Sequence, residues 1–248
     1  MAAPQLSPSR HTILSIPDGI RWWDPATRCT TVVSTPSAEP DLWHEFVDGA
    51  DRSYHKHGVE RALDMPSLRD TKNTALFFVA VADDGTVVGG SRAKGPLQSA
   101  EESHAVVEWA ERPGLRTVRK MLTDRLPFGV MEMKTAWVTD DPGRSRSLSQ
   151  MLARTPVLAM ALSNAQFAVA TAASYVLDRW RTSGGVVASK IPATPYPDDR
   201  YRTKMMWWDR SSFANHAEPE QVLTMLTEMA TLARQLDHIG AQALGTAL

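Results

Sequence analysis

The chain reads as an α+β protein, a mixed and mostly antiparallel central sheet flanked by helices, and three observations point there. Residues 77–96, FFVAVADDGTVVGGSRAKGP, spell a strand, a tight turn and a second strand. Residues 130–138, VMEMKTAWV, read as a buried strand between Pro127 and the turn-forming run Asp140, Asp141, Pro142, Gly143; Ser147 or Ser149 then opens a helix through about Asn164. Short β-branched or apolar runs at 29–35, 167–172, 186–192 and 200–208 supply the remaining strands.

The elements follow in order. Residues 1–28 hold prolines, the pair Trp22 and Trp23 and little periodicity, which describes an arm over the domain, plugged down by the tryptophans. CTTVVST at 29–35 is a strand by propensity, and a helix follows over about 41–57, closed by Gly58. Residues 59–73 are polar and aperiodic, hence a loop or a short second helix. In the hairpin, Asp83, Asp84 and Gly85 supply the positive-φ positions of a short turn. Gly89 and Gly90 imply close backbone approach or a bulge. Residues 101–125 carry helical periodicity broken at Pro113 and Gly114, giving two short helices. A helix over 174–181 ends at Gly184 and Gly185. The apolar positions Val222, Met225, Leu226, Met229, Leu232, Ala233 and Leu236 mark an amphipathic C-terminal helix, whose apolar face packs on the domain or makes a homodimer contact. The expected organisation is an arm (1–28), one domain (29–210) and a helical extension (211–248).

Composition narrows the function. The 248 residues, 43% hydrophobic, can bury a sizeable core, and 27 basic against 28 acidic residues leave a formal charge of -1, so no global field favours nucleic acid. One cysteine, Cys29, excludes an internal disulfide and a multi-thiolate zinc site; it reads as a buried or incidental thiol. No apolar run approaches the roughly 20 residues of a membrane span, and MAAPQLSPSR lacks a signal-peptide core, so the expected location is cytoplasmic. His55 and His57, at i and i+2, do not share a helix face, and no metal site is expected.

The order of elements, the hairpin with Gly89 and Arg92, and Glu132 on the following strand resemble the acyl-CoA N-acyltransferase (GNAT) superfamily over roughly residues 30–210. Within it the chain looks most like the autoinducer synthase and N-acyl amino acid synthase branch. Members typically continue the glutamate strand as Glu-x-Ser-Arg; here it runs Glu132, Met133, Lys134, Thr135. The glycine-rich donor loop of the superfamily is reduced to a Pro-Gly-Arg-Ser-Arg-Ser loop with one glycine. The resemblance implies a sheet splayed between the fourth and fifth strands, here 130–138 and 167–172. It also implies an acyl-CoA or acyl-carrier-protein phosphopantetheine as co-substrate, and a small-molecule or peptide amine as acceptor.

Chemistry assigns residues to those tasks. A pantetheine arm is a chain of amides, best held by free backbone groups where parallel strands part, which places Trp137, Val138 and Thr139 against the donor. A phosphate suits a helix start with unpaired N–H groups: Gly143, Arg144, Ser145, Arg146 and Ser147. An ammonium acceptor must lose a proton before attack, and Glu132 on a central strand is the candidate base, its pKa lifted by partial burial. Period-two alternation puts Glu132, Lys134, Ala136 and Val138 on one face, where Glu132 and Lys134 could equally form an ion pair. Trp180 stands where many members carry a thiolate-protonating tyrosine, leaving Tyr175 as substitute or as a core aromatic. Arg92, Tyr54 and Tyr201, the last in the 196–203 cap, are the candidate substrate contacts. Glu108 and Glu111 read as solvated charges. Met131, Met133, Met151 and Met160, with Phe128, Trp137 and Phe167, line an acyl channel or fill the core. The alternative function is a non-catalytic module of the same fold that binds an acyl thioester or a protein.

Overall fold

The computed structural model describes Ile16 and residues 19–245, the last seven by their helical backbone; expectations for the extreme N-terminus lie outside these residues. The chain runs β1 (Ile20–Asp24), β2 (Cys29–Ser34), α1 (Pro40–Lys56), α2 (Met65–Arg69), β3 (Leu76–Val81), β4 (Val87–Lys94), α3 (His104–Glu108), α4 (Leu115–Thr123), β5 (Val130–Val138), α5 (Ser145–Ser163), β6 (Phe167–Ala173), α6 (Leu177–Arg181), β7 (Val186–Val187), β8 (Thr203–Asp209) and α7 (Pro219–Gly245). The strands form one eight-stranded sheet in the order β1-β2-β3-β4-β5-β6-β8-β7. Every neighbouring pair is antiparallel except β5 with β6.

The two halves of the core lie on the two faces of the sheet. α5 presents Val157, Leu158, Met160 and Leu162 to Met131, Met133 and Phe78, and α7 closes over this layer with Met225 and Leu232. On the opposite face α1 contributes Trp43 and Phe46 to a cluster with Phe77 and Val79, while α3 and α4 bring Val106, Trp109, Val118 and Leu122 against Val130 and Val169. The methionines and aromatics that could have lined one acyl channel are divided among separate clusters, and Phe128 is exposed. They are packing residues.

Three local readings are corrected. Residues 20–24 form the edge strand β1, paired along its length with β2, where an arm was expected. Strand alternation sends Trp22 inward, its indole N–H donating to Glu228 at 3.2 Å, and leaves Trp23 51% exposed, so only one tryptophan anchors. In the β3–β4 turn, only Gly85 takes a positive φ, while Asp84 accepts the Thr86 N–H. The alternation in β5 breaks at Thr135, whose φ is 53°: two β5 residues oppose Ser91 alone between the pairs Arg92↔Lys134 and Gly90↔Trp137. The bulge reverses the phase. Glu132, Lys134, Thr135 and Trp137 all face α1 and α3, and Ala136 and Val138 turn toward α5.

α1 lies close on the sheet because two positions lack a side chain. A Cβ at Gly90 would stand 2.6 Å from the Phe78 carbonyl oxygen and 2.7 Å from the Phe46 ring; one at Gly49 would meet the Trp137 ring at 2.1 Å. Gly49→Ala gains about 1 kcal/mol of helix propensity but forces a rigid, buried indole aside, which costs about 1–3 kcal/mol. The expected net is a loss of stability, read as a lower urea midpoint at unchanged slope; a midpoint at or above wild type would show that α1 can lift.

Candidate active site

β5 and β6 pair only from Val130↔Phe167 to Met133↔Ala170. Beyond that point β6 continues beside β8 to Ala173 and β5 continues beside β4 to Val138, so the sheet divides into a wedge. The strands hold together at their N-terminal ends through core residues such as Met131 and Ala168. They part where the Thr135 bulge twists β5 and where β6 runs into the helical turn at 174–176. Trp137, Val138 and Thr139 lie on the free stretch of β5. The Trp137 side chain is committed elsewhere, its indole N–H donating to the Phe46 carbonyl at 3.1 Å, and Thr139 N–H donates to Val88.

At the C-terminal end of β5 the chain turns through Asp140–Gly143 into α5. The N–H groups here are partly spent: Gly143 donates to the Asp141 carboxylate at 2.9 Å, and Arg144 and Ser145 to the Asp141 carbonyl. Among the described residues, the Arg146 and Ser147 N–H groups have no intramolecular acceptor, and they are the open donors of this helix start.

Under the wedge lies a buried polar cluster built on one short helix. Ser103 caps α3, accepting from Ala105 N–H at 3.2 Å, and its own hydroxyl donates to Glu132 Oε1 at 2.8 Å. Glu132 Oε2 accepts the His104 N–H at 3.1 Å and faces Lys94 Nζ at 3.5 Å. Burial alone would lift the Glu132 carboxyl. Lys134, Lys94, Ser103 and the His104 N–H together hold it below the ordinary carboxylate range, opposite to the expected upward shift. Its job in this geometry is to tether α3.

α3 in turn presents His104 and Glu108, one turn apart. Glu108, expected in solvent, is 4% exposed. Its Oε1 accepts from Lys134 Nζ at 2.9 Å and Thr171 Oγ1 at 2.8 Å, while Oε2 is buried with no hydrogen-bond partner among the described residues. Burial pushes its pKa up, and the opposing pull of Lys134 does not cancel that. His104 Nε2 shares a 2.7 Å hydrogen bond with the Tyr196 hydroxyl, and burial next to Lys134 brings its pKa down to about 4, so the ring is neutral near pH 7. Because Thr171 is a β6 residue and Lys134 a β5 residue, Glu108 bridges the two strands just beyond the last paired residues.

The other expected residues sort around this cluster. Arg92 is 1% exposed and, among the described residues, bonds to oxygens of Ser67, Thr74 and Thr135; burial lowers its pKa. It is a core guanidinium beneath the cluster. Tyr54, at the end of α1, is partly buried, with its phenol raised by burial in the field of Lys134, Arg92 and Glu108. Tyr175 is 75% exposed, so it is no core aromatic; its ring lies 6.3 Å from that of Tyr201 at the rim. His55 and His57 point to Asp51 and Asp140, and no metal-binding group of side chains occurs among the described residues. Cys29 is fully buried, its thiol pushed up by burial.

Sequence reasoning missed Glu108 and His104 as site residues, and reached Tyr196 only as the start of the 196–203 cap. The first two carried a signal, being i and i+4 on a five-residue helix whose neighbours Ala105, Val106 and Trp109 are apolar. Tyr196 comes in through the 194–203 connection, anchored where Thr194 pairs with Thr203, and nothing local marks it.

No family model matches the chain. It is 49% identical over 247 residues to the uncharacterized protein Rv1356c of Mycobacterium tuberculosis (strain H37Rv), a match covering 100% of this chain and 94% of that protein. The same figures hold for the uncharacterized protein Mb1391c of Mycobacterium bovis. Among solved structures, FeeM, an N-acyl amino acid synthase from uncultured soil microbes, superposes with a TM-score of 0.53 at 11% identity, over 77% of this chain and 96% of that one. That likeness is one of fold. The chain belongs to the family of the mycobacterial proteins Rv1356c and Mb1391c, and its fold is similar to that of the N-acyl amino acid synthase FeeM.

Proposed function

We propose that the protein is an N-acyltransferase that moves an acyl group from a CoA or carrier-bound thioester to an amine by direct attack. The observation that carries this reading is the wedge between β5 and β6 with a carboxylate bridging it at Glu108. A pantetheine arm laid along the free β5 edge at 134–138 would bring its thioester to the bridge, and its phosphates toward the Arg146 and Ser147 N–H groups with Arg144 and Arg146 nearby.

The acceptor amine arrives protonated and cannot attack until a base takes the proton. Glu108 suits that step better than Glu132: it keeps one carboxylate oxygen without a donor, and its pKa is raised, whereas Glu132 has both oxygens engaged and is held low. Lys134, fixed on Glu108 Oε1, keeps Oε2 as the proton-accepting atom. We assign Tyr54, Tyr196 and Tyr201 to the acceptor side and Tyr175 to protonation of the departing thiolate; Tyr196 is hydrogen-bonded to His104, and the Tyr175 ring lies beside that of Tyr201. An acyl carrier protein as donor, and a cytoplasmic location, fit the same chemistry. No helix among the described residues is long and apolar enough to cross a membrane.

The test uses the protein's own cysteine content. Its single thiol is buried, so a thiol-reactive dye reports release of CoA with little background. Acetyl-CoA and octanoyl-CoA are each incubated with a panel of amino acids, aminoglycosides and peptides; amine-dependent thiol release is expected with at least one pair. Calorimetric binding of acyl-CoA without any transfer would leave a non-catalytic binder, and absence of both, also with an acyl carrier protein as donor, would overturn the acyltransferase reading.

A further inference from the structure

At the opposite end of β6 from the wedge, a second hollow of about 380 Å³ opens between the end of α4, β6, β8 and the short edge strand β7. Four residues of β6, from Phe167 to Thr171, separate the two places, about 13 Å along the strand. The walls are apolar in the main, with Met121, Phe167, Val187, Ala188 and Trp207. Into this lining comes Arg125, its guanidinium carbon 4.6 Å from the Trp207 ring centroid and 5.2 Å from that of Phe167.

Arg125 is held and yet uncommitted. Nη1 donates to the Met121 carbonyl at 3.1 Å, which fixes the plane. Among the described residues, Nε has no hydrogen-bond partner, no carboxylate stands within ion-pair distance, and no protein atom accepts from Nη2. Trp207, 7% exposed, has no partner for its indole N–H among the described residues and stands in the same wall. Unsatisfied donors on two side chains, the Arg125 Nε–H and the Trp207 indole N–H, are costly in an apolar lining unless an acceptor enters.

The surrounding charge has the matching sign. Lys190 lines the same hollow, and Lys204 and Arg181 line a groove that continues it past Val186, Val187 and His216. Arg181 is paired with Asp178; among the described residues Lys190 and Lys204 have no ion-pair partner. The carboxylate among the described lining residues, Asp209, lies in the field of Arg125 but outside ion-pair distance, and already accepts from Gln166 and from the Ser211 N–H and hydroxyl.

We infer that this hollow is a binding site for an organic carboxylate with an apolar body, its carboxylate on Arg125 and Lys190 and its body against Phe167, Trp207 and Val187. An inorganic anion fits less well, because more than half of the wall offers it nothing to hydrogen-bond. The site is independent of the acyl-transfer reading and is tested without turnover.

Octanoate, octylamine and inorganic phosphate are titrated calorimetrically into the full-length protein, with and without saturating CoA. Octanoate is expected to bind, octylamine and phosphate to bind at least tenfold more weakly, and CoA to leave the octanoate affinity unchanged. Arg125→Gln is expected to weaken octanoate about tenfold or more, the worth of one charge-assisted contact. Lys190→Gln, an exposed position that leaves the core intact, should weaken it a few-fold; if Arg125→Gln does not fold, this variant decides. Equal affinity for octanoate and octylamine, displacement of octanoate by CoA, or unchanged affinity in the folded variants would each overturn the assignment.

Discussion

Glu108→Gln is expected to lower kcat by roughly 10²–10⁴-fold, the usual worth of a positioned general base, with donor affinity nearly unchanged. The amide keeps the volume of the side chain and can still accept from Thr171, so the bridge between β5 and β6 persists while the proton acceptor is lost. The pH profile supplies a second reading. The base works unprotonated, so activity is present above the Glu108 pKa and is lost as pH falls through it. Burial raises that pKa, placing the acid limb above the value of about 4.3 for an unperturbed glutamate. His104, whose pKa burial lowers to about 4, shifts in the opposite direction from Glu108. Glu132→Gln separates the two carboxylates: it keeps one acceptor oxygen and turns the other into a donor, so either the Ser103 hydroxyl or the His104 N–H loses its anchor, and the main expected effect is a lower melting temperature, with catalysis falling only as α3 loosens. A Glu108→Gln enzyme that retains both wild-type kcat and the acid limb would return the base role to another group.

The reach of the sequence differs between elements for physical reasons. β5 was legible to within two residues because a β-rich run sits between Pro127 and a turn-forming cluster, and the break of α3 from α4 because Pro113 and Gly114 stop a helix locally. β1 was not: IRWWD is short, its neighbours are Gly19 and Pro25, and it is a strand because β2 offers a free edge. The same distinction governs the site. Glu132 could be picked out because a lone carboxylate in an apolar strand is conspicuous. Its satisfaction by Ser103 and the α3 N–H groups depends on a helix 28 positions away in sequence from its partner. The Thr135 bulge has no residue signature, since a threonine at positive φ is disfavoured by itself and is held there only by pairing with β4 and by the Arg92 Nε–H donating to its hydroxyl at 3.2 Å. With the bulge unseen, half of β5 was assigned to the wrong face.

Arg154→Met is expected to destabilise the protein by about 3–5 kcal/mol at pH 7, the cost of stranding buried charge. Arg154 sits on α5 at 3% exposure and joins three segments distant in sequence: Nε and Nη2 donate to the Glu228 carboxylate on α7 at 2.9 Å each, Nη2 also to Asp24 at the end of β1, and Nη1 to Gln221 at 3.3 Å. Removing the guanidinium leaves Asp24 and Glu228 facing each other without a cation, whereas Glu228→Gln keeps Asp24 paired and should cost less, about 1–3 kcal/mol. The pH dependence has a defined sign. Burial already holds the Glu228 pKa above its ordinary value, and loss of Arg154 raises it further. A carboxyl whose folded pKa is raised favours the native state while protonated and withdraws that support as pH rises through the folded value. The deficit of the Met variant should therefore shrink between pH 7 and pH 5, measured by urea unfolding at both. A deficit that stays constant would mean that solvent reaches the two carboxylates once the arginine is gone, and a deficit below 1 kcal/mol would mean that apolar packing of α7 through Met225 and Leu232 holds the helix without the ion network.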